Sequence, residues 1–189
     1  MSSKLELIIG PMFSGKSTEL IKRIRLLKII NKKVIVIKPL IDNRYISNKI
    51  TSHDFDSADC YVLSCLSEIN NDTLKEYDTI IIDEGQFFND LKSTILFWID
   101  NFNVNIIIAG LDGDFQRNPI GQILELIPYS DKCKKLNSFC NMCNDGTQAP
   151  FTFRINKSIN KVLVGGAESY MPLCRNHYNN LYLKSTNNE

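Results

Sequence analysis

A run of residues near the start of the sequence has the types and spacing of a phosphate-binding loop. The run is Gly10, Pro11, Met12, Phe13, Ser14, Gly15, Lys16 and Ser17, followed by Thr18. It fits the pattern of Gly, any four residues, Gly, Lys, and Ser or Thr. Glycines let the backbone curl so that its N–H groups point at phosphate oxygens, and the helix N-terminus that follows adds partial positive charge. We therefore predict that this run binds a nucleoside triphosphate, with Lys16 at the terminal phosphates and the Ser17 hydroxyl on Mg²⁺.

Two adjacent acids, Asp83 and Glu84, end an apolar run further along the chain. In phosphate-loop enzymes a carboxylate at such a strand end lies beside the loop and holds Mg²⁺, usually through water, and Asp83 suits that role. The side chain of Glu84 points in another direction and could accept the proton of an attacking hydroxyl. The alternative is that Glu84 activates water, as in motor-type ATPases.

Three cysteines and one histidine form two short pairs, Cys140-x-x-Cys143 and Cys174-x-x-His177. Two such pairs have the spacing of a structural zinc site, because each pair places two ligands on one tight turn. A full set of four protein ligands leaves no open position on the metal. We therefore predict a structural Zn²⁺ that ties down the base of the long loop between the pairs, with Cys133 near enough to be an alternative ligand.

These residues lie in an alternating order of predicted strands and helices. The predicted strands are continuous apolar runs at residues 5–9, 33–37, 60–63, 78–83 and 105–110. The predicted helices lie at residues 17–30, 91–102 and 120–126, and residues 39–58 read as a polar loop. Fully apolar strands that alternate with helices predict an α/β fold with a parallel sheet covered on both faces.

The pattern changes near residue 132, where short β-like pieces surround cysteines and glycines. We therefore predict a phosphate-loop α/β nucleotide-binding domain at residues 1–131. A small zinc-binding module follows at residues 132–184, and residues 185–189 form a polar tail.

The composition excludes several classes of protein. The chain has 189 residues, 43% of them hydrophobic, a formal net charge of +1 and a pI near 7.5. Near-neutral charge gives no field for holding a polyanion, so nucleic acid is not expected as a partner. We see neither an apolar leader nor a run long enough to cross a membrane, and we expect a cytoplasmic protein with no membrane partner.

In combination, the motifs are similar to those of one known family. Besides the phosphate loop, the two acids and the cysteine pairs, the similarity includes residues 42–45, 52–54, 111–117 and 164–170. The chain resembles the small zinc-containing (type II) thymidine kinases over nearly its whole length. The resemblance implies transfer of the ATP γ-phosphate to the 5′-hydroxyl of thymidine, which gives dTMP.

The resemblance also implies roles for individual residues. The implied catalytic residues are Glu84 as general base, Lys16 and Arg44. Asp42, Asp83 and Gln86 match positions at the nucleotide. The implied thymidine-binding residues are Met12, Phe87, Leu111, Phe115, Thr152, Val164, Gly165 and Tyr170, the last four within a lasso loop between the cysteine pairs. Two positions, Asp114 and Ile120, depart from the family pattern.

Assembly and regulation are implied by the resemblance alone. The family is typically tetrameric, so we expect a homotetramer, and we expect dTTP to act as a feedback inhibitor. Three alternatives stay open at this point. They are a kinase for another deoxynucleoside, a zinc-ribbon ATPase that depends on nucleic acid, and a nucleotide-binding regulator without catalysis.

Overall fold

A computed structural model of the protein describes residues 3–42, 49–51, 57–155 and 165–186. The strands are β1 (Leu5–Ile9), β2 (Val34–Pro39), β3 (Lys49–Thr51), β4 (Ser57–Asp59), β5 (Tyr61–Leu63), β6 (Thr79–Ile82), β7 (Asn105–Gly110), β8 (Lys132–Lys135), β9 (Ser138–Phe139), β10 (Gln148–Ala149), β11 (Phe151–Arg154) and β12 (Tyr170–Leu173). The α-helices are α1 (Lys16–Ile29), α2 (Asn71–Leu74), α3 (Leu91–Asn101) and α4 (Arg175–Thr186). Short 3₁₀ helices lie at Leu66–Glu68, Gly85–Phe87 and Ile123–Tyr129.

Six strands form one parallel sheet in the order β5-β2-β6-β7-β1-β8. Both faces of this sheet are buried because alternate residues of each central strand enter two different apolar clusters. In β6, for example, Ile80 and Ile82 belong to the cluster beneath α3, and Ile81 belongs to the cluster beneath α1. The predicted α/β class with a central parallel sheet is therefore confirmed.

The structure differs from the sequence-based elements in several places. The segment 39–58, predicted as a polar loop, contains β3 and all but the last residue of its antiparallel partner β4. The short helix predicted at 120–126 is a 3₁₀ helix at Ile123–Tyr129 that includes Pro128. Proline has no N–H to donate, which disfavours an α-helix there. Helix α4 was not predicted, since its sequence is largely polar.

Strand β8 continues the sheet beyond its five predicted strands. It pairs in parallel with β1, from Glu6 opposite Lys132 to Ile9 opposite Lys135. Its side chains are mostly exposed lysines, so the strand carries no apolar run from which it could be predicted. The sheet therefore extends into the segment that we assigned to the second module.

The elements from β9 to α4 form a smaller unit, which we call the cysteine module. Strands β9 and β10 form one antiparallel pair, and β11 and β12 form another. Their apolar centre is a cluster of five buried residues, Cys140, Ala149, Leu173, Cys174 and Tyr178. Among the described residues of the whole chain, no helix is long and apolar enough to cross a bilayer.

Candidate active site and metal centre

The phosphate loop joins β1 to α1, and its backbone curls through left-handed conformations. The φ angles of Phe13 and Gly15 are 62° and 80°. The Lys16 ammonium is buried and donates to the Pro11 carbonyl oxygen at 2.6 Å. The predicted phosphate-binding lysine is thus held within the curl of the loop, where it can exchange a carbonyl oxygen for phosphate oxygens.

The end of β6 meets the phosphate loop through Asp83. The Ser17 hydroxyl donates to Asp83 Oδ2 at 3.0 Å, and the Glu84 N–H donates to Asp83 Oδ1 at 3.0 Å. A hydroxyl and a carboxylate are oxygen ligands of the kind that Mg²⁺ prefers. The two residues that the sequence singled out for Mg²⁺ therefore lie in contact and fit the ion chemically.

Glu84 is buried next to Asp83 in an unusual backbone conformation. Its φ is 50° and its ψ is 42°, in the left-handed region that costs non-glycine residues free energy. Gln86 Nε2 donates to Glu84 Oε2 at 2.6 Å. The two neighbouring carboxylates thus have different partners, since Asp83 faces the phosphate loop and Glu84 faces Gln86.

A buried lysine near this edge was missed by the sequence reading. Lys38, in β2, is only 2% exposed, and the predicted Asp42 is also buried. Burial raises the pKa of the half-buried Cys60 thiol to about 11, opposed by the charge of Lys38 and reinforced by those of Asp83 and Asp42. The charges of Lys38, Asp42 and Asp83 therefore all act on the Cys60 thiol. The sequence signal that could have identified Lys38 is a lone lysine at the end of an apolar strand. Arg44 lies outside the described residues.

The cysteine module contacts the phosphate loop directly. The Met12 N–H donates to the Thr152 hydroxyl oxygen at 2.9 Å, and this hydrogen bond is buried. Thr152 lies on β11, so a residue predicted for the nucleoside also holds a backbone group of the nucleotide loop. Two further predicted pocket residues are half-buried: Phe87 ends the 3₁₀ helix Gly85–Phe87, and Leu111 directly follows β7.

Arg154, which the sequence reading left without a role, joins two predicted pocket residues. Its guanidinium lies 3.8 Å from the centre of the Phe115 ring, in the geometry of a cation–π contact. The same guanidinium donates to the Tyr170 hydroxyl at 2.9 Å. The buried arginine therefore holds Phe115 and Tyr170 on one wall. Gly165 is half-buried, and Val164 lies outside the described residues.

The predicted metal ligands converge in the cysteine module. The three Sγ atoms of Cys140, Cys143 and Cys174 and Nδ1 of His177 all lie within 4.8 Å of one another. Cys143 Sγ is 3.8 Å from Cys174 Sγ, and His177 Nδ1 is 3.3 to 3.5 Å from the three sulfurs. Zinc bond lengths predict tetrahedron edges of about 3.8 Å between sulfurs and about 3.6 Å from sulfur to nitrogen. The donor set and its spacing therefore fit Zn²⁺, and Cys133, on β8, is not part of the cluster.

The thiol pKa values show why this cluster favours a cation. Burial raises the pKa of Cys140, but N–H donors from Cys174, Cys143 and Met142 outweigh it and bring the pKa to about 6. Burial and the neighbouring thiols raise the pKa of Cys143 to about 11. Three thiolates this close repel one another, and a divalent cation removes that conflict.

Tyr178, next to the ligand His177, attaches the module to the sheet. Its ring is buried among Phe151, Phe153 and Tyr182, and its hydroxyl donates to the Phe115 carbonyl oxygen at 2.6 Å. Arg117 lies over the same ring, 4.6 Å from its centre. Asp114, one of the two positions that depart from the family pattern, accepts hydrogen bonds from the backbone N–H groups of Gln116 and Asn118. These bonds close the turn that carries Phe115 and Arg117.

The sequence was compared with known proteins. A family profile described as Thymidine kinase matches residues 3–178. A protein named Thymidine kinase from Amsacta moorei entomopoxvirus is 40% identical over 185 residues, which cover 94% of this chain and 99% of the relative. Thymidine kinase a of Arabidopsis thaliana is 38% identical over 191 residues, covering 98% and 79% of the two chains.

A third relative is longer than this chain. The protein named Thymidine kinase from Oryza sativa subsp. japonica is 37% identical over 180 residues, and the match covers 93% of this chain but 66% of the relative. The family match extends over most of the described elements, from β1 to the start of α4. The chain therefore belongs to the thymidine kinase family.

Proposed function

We propose that the protein is an ATP-dependent thymidine kinase that transfers the γ-phosphate of ATP to the 5′-hydroxyl of thymidine and yields dTMP. The family gives the reaction, and one feature of the site suits it best. Ser17 and Asp83 are in contact beside the phosphate loop, and the next carboxylate, Glu84, is held in a different direction by Gln86. That arrangement separates a metal-binding acid from a proton-accepting acid.

The roles follow from the charge that develops during phosphoryl transfer. Lys16 leaves the Pro11 carbonyl and binds the β- and γ-phosphates, where a fixed cation stabilises charge as it shifts. Asp83 and Ser17 would hold Mg²⁺, which when bound neutralises phosphate charge. Glu84 accepts the proton of the 5′-hydroxyl. Asp42, Gln86 and Arg44 are proposed at the nucleotide on the family resemblance.

The cysteine module is proposed to bind the nucleoside. Met12, Phe87 and Leu111 come from the sheet side, and Thr152 and Tyr170 from the module. The remaining proposed contacts are Phe115, Val164 and Gly165. Structural Zn²⁺ on Cys140, Cys143, Cys174 and His177 would fix the base of this cover. A cover that excludes water suppresses wasteful hydrolysis of ATP.

Assembly, regulation and location are further proposals. We propose a homotetramer and feedback inhibition by dTTP, both supported by the family resemblance. We propose action in the cytoplasm, where the free thiols of the described cysteines suit a reducing compartment. Family membership disfavours the nucleic-acid-dependent ATPase, and the near-neutral charge adds to that argument.

The test combines a substrate panel with a change of the general base. Assays with ATP and each of the four deoxynucleosides should show preference for thymidine. Glu84→Gln should retain ATP and thymidine binding but lower kcat by roughly 10²- to 10⁴-fold, the range for loss of a general base. The matched control is Glu125→Gln, which changes an exposed carboxylate paired with Lys92. A Glu84→Gln enzyme with more than about a tenth of wild-type kcat would remove Glu84 from this role.

A further inference from the structure

Gln86 forms two directed hydrogen bonds, and these define its orientation. Its side-chain Nε2 donates to Glu84 Oε2 at 2.6 Å, and its Oε1 accepts from the Leu111 N–H at 3.0 Å. The residue is 4% exposed. A carboxylate can only accept and a backbone N–H can only donate, so the amide has one orientation that satisfies both partners. Gln86 therefore connects the proposed general base to the backbone of the proposed thymine pocket.

Two glycines make room for Gln86. A Cβ on Gly110 would collide with Gln86 Oε1, and a Cβ on Gly121 would collide with the Gln86 backbone oxygen. Gly121 also has a φ of +59°, which disfavours other residues. Backbone from β7 and from the loop before Ile123 thus encloses the glutamine on two sides, and the amide has little freedom to move.

Glu84 depends on such support because its own backbone is strained. A left-handed residue after a strand persists only where its surroundings over-determine it. The N–H of Glu84 is held by Asp83, and one carboxylate oxygen is held by Gln86.

We propose that Gln86 is a positioning residue that couples the alignment of Glu84 to the position of Leu111, so that binding of the thymine ring also orients the general base. This inference rests on the proposed thymidine kinase activity. It assigns Gln86 an effect on the chemical step through Glu84, in addition to any proximity to the nucleotide. A nucleoside that displaces Leu111 should therefore lose kcat as well as affinity, because misalignment penalises the transition state.

The test removes the amide and keeps its volume. Gln86→Met should lower kcat by about 10- to 100-fold, as expected for a misplaced reacting group. The readout is the split between kcat and KM, because misalignment of the general base acts on the transition state and not on ground-state binding. The KM for ATP should change less than about threefold if the effect of Gln86 passes mainly through Glu84. A purely nucleotide-binding role predicts the reverse, a raised KM for ATP with kcat kept.

A second variant keeps the experiment decisive if Gln86→Met does not fold. Gln86→Glu preserves the shape but replaces the amide donor with a carboxylate, which when ionised can only accept hydrogen bonds. Its kcat should also fall by about 10- to 100-fold, with the KM for ATP kept within about threefold.

The matched control is Gln122→Met. The Gln122 amide oxygen accepts the Lys92 N–H at 2.8 Å at the start of α3, without touching Glu84. That variant should lower thermal stability and leave kcat unchanged. Wild-type kcat in Gln86→Met, or in Gln86→Glu if only that variant folds, would overturn the proposal. If the wild-type enzyme phosphorylates none of the four deoxynucleosides, the proposed function fails; if it phosphorylates thymidine and Glu84→Gln is inactive, only the role of Gln86 fails.

Discussion

The parallel sheet and the cysteine module bury apolar surface by different means. The central strands of the sheet are covered on both faces by two apolar clusters of isoleucine, leucine and aromatic residues. The cysteine module has one cluster of five buried residues, and two of the five are the proposed metal ligands Cys140 and Cys174. A unit this small rarely folds on apolar burial alone, and the proposed metal would contribute directly to its folding. The sheet should therefore tolerate loss of metal, and the module should not.

The two regions nevertheless meet at the proposed substrate site. Thr152 of the module accepts the Met12 N–H of the phosphate loop, and Tyr178 donates to the Phe115 carbonyl. Arg154 adds a cation–π contact with Phe115. The proposed phosphate site and the cysteine module are thus joined by a few polar contacts, and substitutions can separate their contributions.

The largest effect is expected in the phosphate loop. Lys16→Ala should lower kcat/KM for ATP by about 10²- to 10³-fold, because it removes a fixed cation that acts on the transition state. Zinc content and thymidine binding should stay as in wild type, since the module is untouched. Steady-state kinetics, elemental analysis and calorimetry with thymidine would measure these. Normal ATP kinetics would show that the loop has another role.

The next effect is expected at the metal centre. Cys143→Ser should abolish stoichiometric zinc and raise the KM for thymidine at least about tenfold, equivalent to about 1.4 kcal/mol. The sheet should keep its far-ultraviolet circular dichroism, because its apolar clusters do not include the module. Cys133→Ser is the control, since Cys133 is exposed on β8 and outside the ligand cluster. Full zinc content in Cys143→Ser would contradict the proposed ligand set.

A smaller effect should appear where the regions meet. Thr152→Val removes the acceptor of the Met12 N–H without changing the side-chain shape, and an unpaired buried donor costs about 1 to 3 kcal/mol. We expect the KM values for ATP and thymidine to rise together, because one hydroxyl serves both sites. Thr94→Val makes the same change on α3, far from the site, where the hydroxyl contacts Asp90. A change in the thymidine KM alone would show that the sites are independent.

The smallest effect concerns Asp90, whose carboxylate binds the first two N–H groups of the 3₁₀ helix Leu66–Glu68. Asp90 accepts hydrogen bonds from the N–H groups of Leu66 and Ser67. Partial burial raises the pKa of Asp90, but these donors outweigh it and hold the pKa below its usual range. Asp90→Asn should lower the free energy of unfolding by about 1 kcal/mol at neutral pH.

That difference should depend on pH with a defined sign. The Asp90 pKa is lower in the folded than in the unfolded chain, so ionised Asp90 stabilises the protein above about pH 3.9, the ordinary value. The benefit is lost as the pH falls through the lower folded value, where variant and wild type should converge. Urea unfolding at several pH values measures this. Asp72→Asn is the control, because the exposed Asp72 is paired only locally with Lys75; an equal loss in both variants would argue against capping.

The sequence predicted those parts of the molecule whose pattern is local. Strands β1 and β7 lie where their apolar runs predicted them, and the contact of Ser17 with Asp83 follows from the order of loop and strand. The cysteine pairs converge as their spacing indicated. Each of these predictions came from a local pattern or from periodicity, even where, as for Ser17 and Asp83, the two motifs that meet are far apart in the chain.

The features that the sequence did not predict depend on distant partners. Strand β8 is held by pairing with β1, and its lysines give no apolar signal. The roles of Arg154 and Tyr178 arise from packing against Phe115, which lies far from both in the chain. Nothing in the sequence indicates the left-handed backbone of Glu84, because the residue is not a glycine. Tertiary contacts decide these features, and single-residue preferences cannot encode them.

The lysines of β8 also bear on how copies of the protein behave toward one another. Within the described residues β8 is the last strand of the sheet, and the edge of a sheet offers N–H and C=O groups to any extended chain. A net charge of +1 provides little general repulsion between copies. Lys132, Lys134 and Lys135 place charge along this edge, held by ion pairs to Glu6, Glu19 and Asp112. A strand from another copy could pair with β8 only if those charges lost their water, so the charged edge disfavours aggregation.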